Sequence, residues 1–108
     1  MRIFEGMSRG MHEIAEVWAR DILEFNSLSE AVNDHGYSAT DFENAYQGQF
    51  QDVADFAIDH YYNTTNMDAI PSEILASIDW SDVWNRELRH YFSDVNTGNN
   101  SVYIFLNL

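Results

Sequence analysis

The chain has 108 residues and a formal net charge of −13, which comes from 18 carboxylates and five arginines without a single lysine. A charge of this sign and size repels nucleic acids and anionic membranes, and it attracts proteins that bind polyanions. The 15% of aromatic residues argues against an acidic disordered tail, and the absence of cysteine excludes disulfides and thiolate metal sites.

The first third of the chain predicts two helices after a short arm or edge strand at residues 1–10. Residues 12–25 have the period of an amphipathic helix, with Trp18 at the centre of its apolar face and Glu13 and Glu24 on its polar face. Residues 27–30 have the form of a capping box, and they predict a short helix that stops at Gly36.

The middle of the chain predicts two more helices. A second capping box at residues 40–43 favours a helix that ends near Gln47, with Gly48 at the position after its C-terminus. Asp52 is expected to cap a helix that extends to Tyr62. The polar stretch 63–69 is the best candidate for a linker.

The last third predicts two helices and a β-hairpin. Pro71 stands at the first position of a short helix through Ala76, and Asp79 caps a longer helix from residue 80 to about residue 92. A turn-forming stretch then precedes a β-rich segment at residues 101–106, which we expect to pair with residues 91–95.

These elements predict a mostly α fold with a small β element, of the α+β class. Short helices follow one another, and a β-hairpin closes the chain. We expect an N-terminal helical sub-domain at residues 1–62 and a C-terminal sub-domain at residues 63–108.

One row of carboxylates stands out on the helix expected at residues 52–62. Asp52, Asp55 and Asp59 fall within about 60° of one another on a helical wheel, with apolar residues on the opposite arc and no basic neighbour. The row spans on the order of 10 Å of helix axis, so it has the length scale of a short run of DNA phosphates, which follow one another every ~3.4 Å of axis in each strand. A plain solvated helix face is the alternative.

Four further carboxylates are assigned to the same acidic surface. Asp41 and Glu43 lie just upstream of the row and would extend it, and Glu13 and Glu24 come from the first helix. Asp82 is expected to form an ion pair with Arg86 four residues later, and Arg20 with Glu16 or Glu24. These pairs are expected to have a structural role and to lie outside the DNA-mimicking surface.

An aromatic stripe at helical spacing lies near the C-terminus and consists of Trp80, Trp84, Leu88 and Tyr91. This stripe could supply the apolar contact that an acidic homodimer needs. It could equally form part of the core of a monomer, and both uses could hold in part.

The sequence offers no constellation for catalysis, so we expect a protein that is not an enzyme. The four histidines lack metal-ligand spacing, and there is no calcium-binding loop, phosphate-binding glycine loop or nucleophile elbow. Neither a cofactor nor a metal is therefore expected. No signal peptide or membrane span is recognisable, so we expect no membrane partner and a cytoplasmic location.

Several short motifs in the right order resemble the ArdA antirestriction family. They are the step Ala45-Tyr-Gln-Gly-Gln-Phe50 into an acidic helix with Asp55-Phe56-Ala57, the pair Ile70-Pro71, the run Ser77-Ile78-Asp79-Trp80, and Arg86-Glu87-Leu88. Together they cover about residues 37–92. The first 36 residues match only weakly, which suggests a short form that lacks most of the N-terminal domain of the family.

The resemblance implies a dimeric protein mimic of B-form DNA with an elongated acidic shape, carried by a phage or mobile element into a host cell. Such a protein does not bind nucleic acid itself, and it occupies the DNA-binding groove of a type I restriction–modification enzyme. It also implies that Trp80 and Trp84 lie near a two-fold interface. Two alternatives remain open: a mimic that targets a CRISPR effector or a nucleoid protein, and an acidic protein-interaction module without mimicry.

Overall fold

The computed structural model describes residue 4 and residues 6–107, which form two compact units. The first unit consists of the described residues up to Gln47 together with those from Phe105 onward. The second unit is Gly48–Ile104. As expected from the sequence, the fold is mostly helical with a small antiparallel sheet. The boundary predicted between residues 62 and 63 falls inside a helix of the second unit.

The first unit contains three helices: α1 (Arg9–Val17), α2 (Leu28–His35) and α3 (Ala39–Ala45). A π-helical turn, Trp18–Ile22, continues α1, and α2 packs against this turn. Ser27 accepts a hydrogen bond from the Glu30 N–H at 3.1 Å, and Gly36 ends α2 with a φ of 75°. Both ends of α2 are thus where the capping residues predict them.

Aromatic side chains form the core of the first unit around Trp18, which is completely buried. The ring centroid of Trp18 lies 5.6 Å from that of Phe42 on α3, and also 5.6 Å from that of Tyr37 in an edge-on contact. Phe42 in turn stacks on Tyr46 at 5.8 Å. Because aromatic burial is a large favourable contribution to folding, this cluster positions the three helices despite the unit's acidic surface.

The second unit contains α4 (Val53–Thr64), α5 (Ser72–Ala76) and α6 (Trp80–Arg86), with short 3₁₀ turns at Met67–Ala69 and Leu88–His90. The helix α4 packs against α6. Phe56 lies at the centre of this unit's core, with its ring 5.0 Å from that of Phe92 and 5.9 Å from that of Trp84. The stretch predicted as a linker, 63–69, continues α4 and then forms the first of the 3₁₀ turns.

Three strands form one sheet: β1 (Tyr46–Phe50), β2 (Phe92–Asn96) and β3 (Val102–Leu106), in the order β1-β3-β2. The predicted hairpin is confirmed, since β2 and β3 are neighbours. In its turn, the Asn96 side chain accepts a hydrogen bond from the Gly98 N–H at 2.8 Å, as asparagine commonly does at such positions.

The first predicted helix differs from the observed one at both ends. It begins at Arg9, because the Ser8 hydroxyl accepts a hydrogen bond from the Met11 N–H at 3.2 Å and caps it three residues earlier than expected. It ends at Ile22, because Glu24 has a φ of 63°, which a continuing helix cannot contain. Parts of the predicted N-terminal arm lie outside the described residues.

The helix predicted from residues 40–43 has another cap and a shorter course. Ser38 accepts a hydrogen bond from the Asp41 N–H at 3.2 Å, and the Asp41 carboxylate accepts one from the Ser38 N–H at 2.9 Å, so this pair forms the capping box. The prediction of helix up to Gln47 was wrong, because β1 begins at Tyr46. The segment is a strand because it pairs with β3.

The helix predicted for residues 80–92 is also shorter than expected. Asp79 caps it as predicted, by accepting a hydrogen bond from the Asp82 N–H at 3.1 Å. The α-helix ends at Arg86, a 3₁₀ turn follows, and Phe92 is already in β2. Leu88–His90 thus form the 3₁₀ turn, and only the last residue of the predicted helix, Phe92, belongs to the sheet.

Candidate functional site

The carboxylates of the described chain lie at its surface, and none of them is buried. Fourteen are exposed, and the three that are half-buried, Glu16, Glu30 and Asp41, each accept a hydrogen bond from a backbone N–H. Those three bonds stabilise helix ends or a loop. The exposed carboxylates therefore make up the acidic surface.

Arginine neutralises very little of this surface. Among the described residues, only two ion pairs form: Arg86 with Asp82 at 2.9 Å, as predicted, and Arg9 with Glu13 at 3.8 Å. The pairs expected for Arg20 do not form, and its side chain is exposed. Because isolated exposed pairs of this kind contribute little energy, most of the negative charge faces solvent without compensation.

The predicted acidic row is present on α4. Asp55 and Asp59 are exposed one turn apart, and Asp52 stands exposed at the cap, where it accepts a hydrogen bond from the Asp55 N–H at 2.8 Å. Asp55 also accepts a long bond from the Gln51 N–H at 3.5 Å. No basic side chain pairs with any of the three in the part of the chain that the structure describes.

The structure brings these three carboxylates together because Asp55 and Asp59 lie one turn apart on α4 and Asp52 caps the start of the same helix. Ala57 is buried on the side opposite the row and Phe56 is buried next to the row, and these core contacts fix the rotation of the helix about its own axis. Asp55 and Asp59 are therefore held on the helix itself, and Asp52 is fixed at its start by the capping hydrogen bond.

The four other predicted acids differ in their surroundings. Glu13 is exposed and paired with Arg9, and Glu24 is exposed on the loop after the π-helical turn, so these two do not share one helix face. Asp41 is half-buried in its capping box, whereas Glu43 is exposed on α3. All four belong to the first unit and α4 to the second, so a continuous acidic surface through all of them stays a prediction.

The predicted aromatic stripe is divided between core and surface. Trp84 and Leu88 are only 5% and 4% exposed, so they belong to the core of the second unit and are not available for a dimer contact. Trp80 is half-buried, and Tyr91 is 64% exposed. The core alternative is therefore correct for the two central residues of the stripe.

A groove of about 400 Å³ lies in the second unit, and it is the feature that the sequence analysis missed. Its apolar lining comes from the end of α4, the first 3₁₀ turn, the segments around α5, and α6; these residues are Tyr61, Met67, Ile70, Ile78, Trp80 and Val83. They do not follow one helical period, which is why the pattern gave no signal. Of the residues that line the groove, only Trp80 belongs to the aromatic stripe predicted from the sequence.

No protein-family model, curated protein or solved structure matches this chain. The function of the acidic row and of the groove has to follow from their own charge, exposure and shape. Within the described part of the chain, no three His, Asp or Glu side chains are grouped so that they could hold a metal ion. None of the described helices is long and apolar enough to cross a membrane.

Proposed function

We propose that this protein is a DNA mimic that inhibits a DNA-binding defence enzyme of the host cell by occupying its DNA-binding groove. The observation that carries the proposal is the uncompensated acidic surface: fourteen carboxylates are exposed, and only two of them are paired with arginine among the described residues. Such a surface costs stability through self-repulsion. Binding to a partner that recognises polyanions would explain why the protein has a surface that lowers its stability.

The row on α4 has the geometry that mimicry needs. Neighbouring carboxylates on a helix face, such as Asp55 and Asp59, have Cβ atoms about 5–6 Å apart, and Asp52 is fixed at the start of the same helix by its capping hydrogen bond. Over the whole chain, the formal charge of −13 equals that of about 22 Å of duplex, at one charge per ~1.7 Å. A cleft lined with Lys and Arg for phosphates would therefore attract it.

The choice of target depends on the resemblance to the ArdA family. It favours a type I restriction–modification enzyme, and a CRISPR effector or nucleoid protein stays the alternative target. Asp55-Phe56-Ala57, which belongs to the resemblance, lies on α4 itself. The same helix thus carries both the likeness and the acidic row.

The first test is a variant in which Asp52, Asp55 and Asp59 are all replaced by asparagine. Asparagine caps helices as well as aspartate does, so α4 should keep its start and the protein its stability. We expect weaker inhibition of DNA cleavage by a type I restriction–modification enzyme. The slope of log affinity against log salt concentration should also become shallower, by up to about one for each carboxylate that no longer takes the place of a phosphate.

The matched control neutralises three exposed carboxylates that make no hydrogen bond or ion pair within the described chain, by the substitutions Asp34→Asn, Glu73→Gln and Asp94→Asn. It removes the same charge and should reduce inhibition less than the α4 variant does. Equal inhibition by the α4 variant and the unmodified protein would remove the row from the proposed site. Absence of inhibition by the unmodified protein would exclude this target.

A further inference from the structure

We propose that the groove of the second unit binds an amphipathic helix of a partner protein, with apolar side chains in the groove and Lys or Arg side chains at its edge. This interaction goes beyond the proposed mimicry. It uses residues other than Asp52, Asp55 and Asp59, and it concerns apolar contact as well as charge.

The groove has the shape and composition of a peptide-docking site. Its walls are aromatic and aliphatic, with Trp80 half-buried and its ring 6.0 Å from that of Tyr61. Ile74, on the short helix α5 between the lining residues Ile70 and Ile78, is 54% exposed. The apolar residues that line the groove together form an exposed apolar concavity, which is a feature of interaction sites.

The charge around the groove selects the occupant. Asp82 and Glu87 line it, and the exposed Asp68 and Asp79 directly follow and precede lining residues of the 3₁₀ turn and α6. The only cation in the lining is Arg86, which is already paired with Asp82 at 2.9 Å. A segment with apolar anchors and flanking Lys or Arg complements both features, as in helix-in-groove recognition.

A second copy of this chain fits the groove less well. The second unit alone carries nine carboxylates and two arginines, so a second copy would bring the same sign of charge to an acidic edge. Like charges brought together at an interface oppose association. The charge therefore favours a basic partner over self-association.

The test uses a fluorescent peptide of about 14 residues, made of leucine and lysine with the leucines at helical spacing. A scrambled peptide of the same composition is its control. Because two buried leucines add substantial apolar contact, we expect the amphipathic peptide to bind at least about tenfold more tightly by fluorescence anisotropy. The preference should persist at about 1 M NaCl, where exposed charges are screened within about 3 Å.

Two variants locate the site. Val83→Trp fills the groove and should reduce the affinity for the amphipathic peptide to that for the scrambled one, and Ile70→Ser should do the same if Val83→Trp fails to fold by circular dichroism. Tyr91→Ala, at an exposed residue outside the lining, should bind as the unmodified protein does. Peptide binding should also shift the tryptophan emission, because Trp80 is the most exposed of the three tryptophans, and Trp80→Phe should remove that shift.

Equal affinity for the two peptides would overturn the proposal, as would full binding by the groove-filled variants. Sedimentation equilibrium supplies another contradiction: a dimer that Val83→Trp dissociates would show that a second copy occupies the groove. Loss of peptide binding leaves the inhibition of the restriction enzyme to be judged by the α4 variant. The two proposals therefore fail by different measurements.

Discussion

Asp52 has two roles at the residue scale. It is exposed at the start of the acidic row, and its carboxylate accepts the Asp55 N–H at 2.8 Å, which caps α4. The local chemistry of a cap is visible in sequence, which is why Ser27, Asp52 and Asp79 were all assigned correctly. The cap of α3 was not, because Ser38 with Asp41 and Thr40 with Glu43 fit the same pattern two residues apart, and tertiary packing decides between them.

The double role of Asp52 gives a prediction about stability. Asp52→Ala should lower the free energy of unfolding by about 1 kcal/mol, because one N–H at the start of α4 loses its partner, whereas Asp52→Asn should leave it nearly unchanged. Urea denaturation followed by circular dichroism measures both. Glu73→Ala, at an exposed carboxylate without such a bond, is the control and should change the free energy by less than about 0.5 kcal/mol. Equal stability of the alanine and asparagine variants would show that the cap contributes nothing.

At the scale of elements, β1 shows where local patterns stop being informative. Gly48 looks like the residue after a helix, yet it lies within a strand at a φ of 127°. The strand depends on pairing with β3, more than 50 residues later. The groove escaped prediction for a related reason, since its lining comes from the ends of several short elements.

Two glycines test this assignment of elements. Gly48→Ala should destabilise the protein by about 1–3 kcal/mol, since its backbone conformation disfavours any side chain and the new Cβ would meet the Phe50 ring at 3.3 Å. Gly10→Ala should stabilise it by about 0.5 kcal/mol, because Gly10 is helical and has open space around it. Thermal and urea denaturation give both values. A neutral Gly48→Ala variant would contradict the backbone conformation described for β1.

The whole chain has a large negative charge, and its described residues form only two ion pairs. Residue counts predict the charge and the acidic surface, and the periodicity of the apolar residues predicts the helical class. The division into units could not be predicted in this way. The first unit takes up the chain again at Phe105, and this return depends on contacts between distant parts of the sequence.

This imbalance of charge predicts that salt stabilises the protein. Raising NaCl from about 0.01 M to about 1 M shortens the screening length from about 30 Å to about 3 Å, so repulsion among exposed carboxylates should fall and the melting temperature should rise. The variant with Asp34→Asn, Glu73→Gln and Asp94→Asn should show a smaller rise, because less repulsion remains to be screened. A melting temperature that falls with salt would mean that attractive pairs dominate the surface.

The proposal that the carboxylates take the place of DNA phosphates is tested most directly by a competition experiment. A fluorescent duplex is bound to a type I restriction–modification enzyme, and the protein is titrated in while anisotropy reports the bound DNA. If the protein occupies the DNA groove, the duplex is displaced completely, and more protein is needed in proportion as the duplex concentration is raised, because both polyanions compete for the same Lys and Arg side chains. A complex that holds the enzyme, the duplex and this protein together would contradict the account.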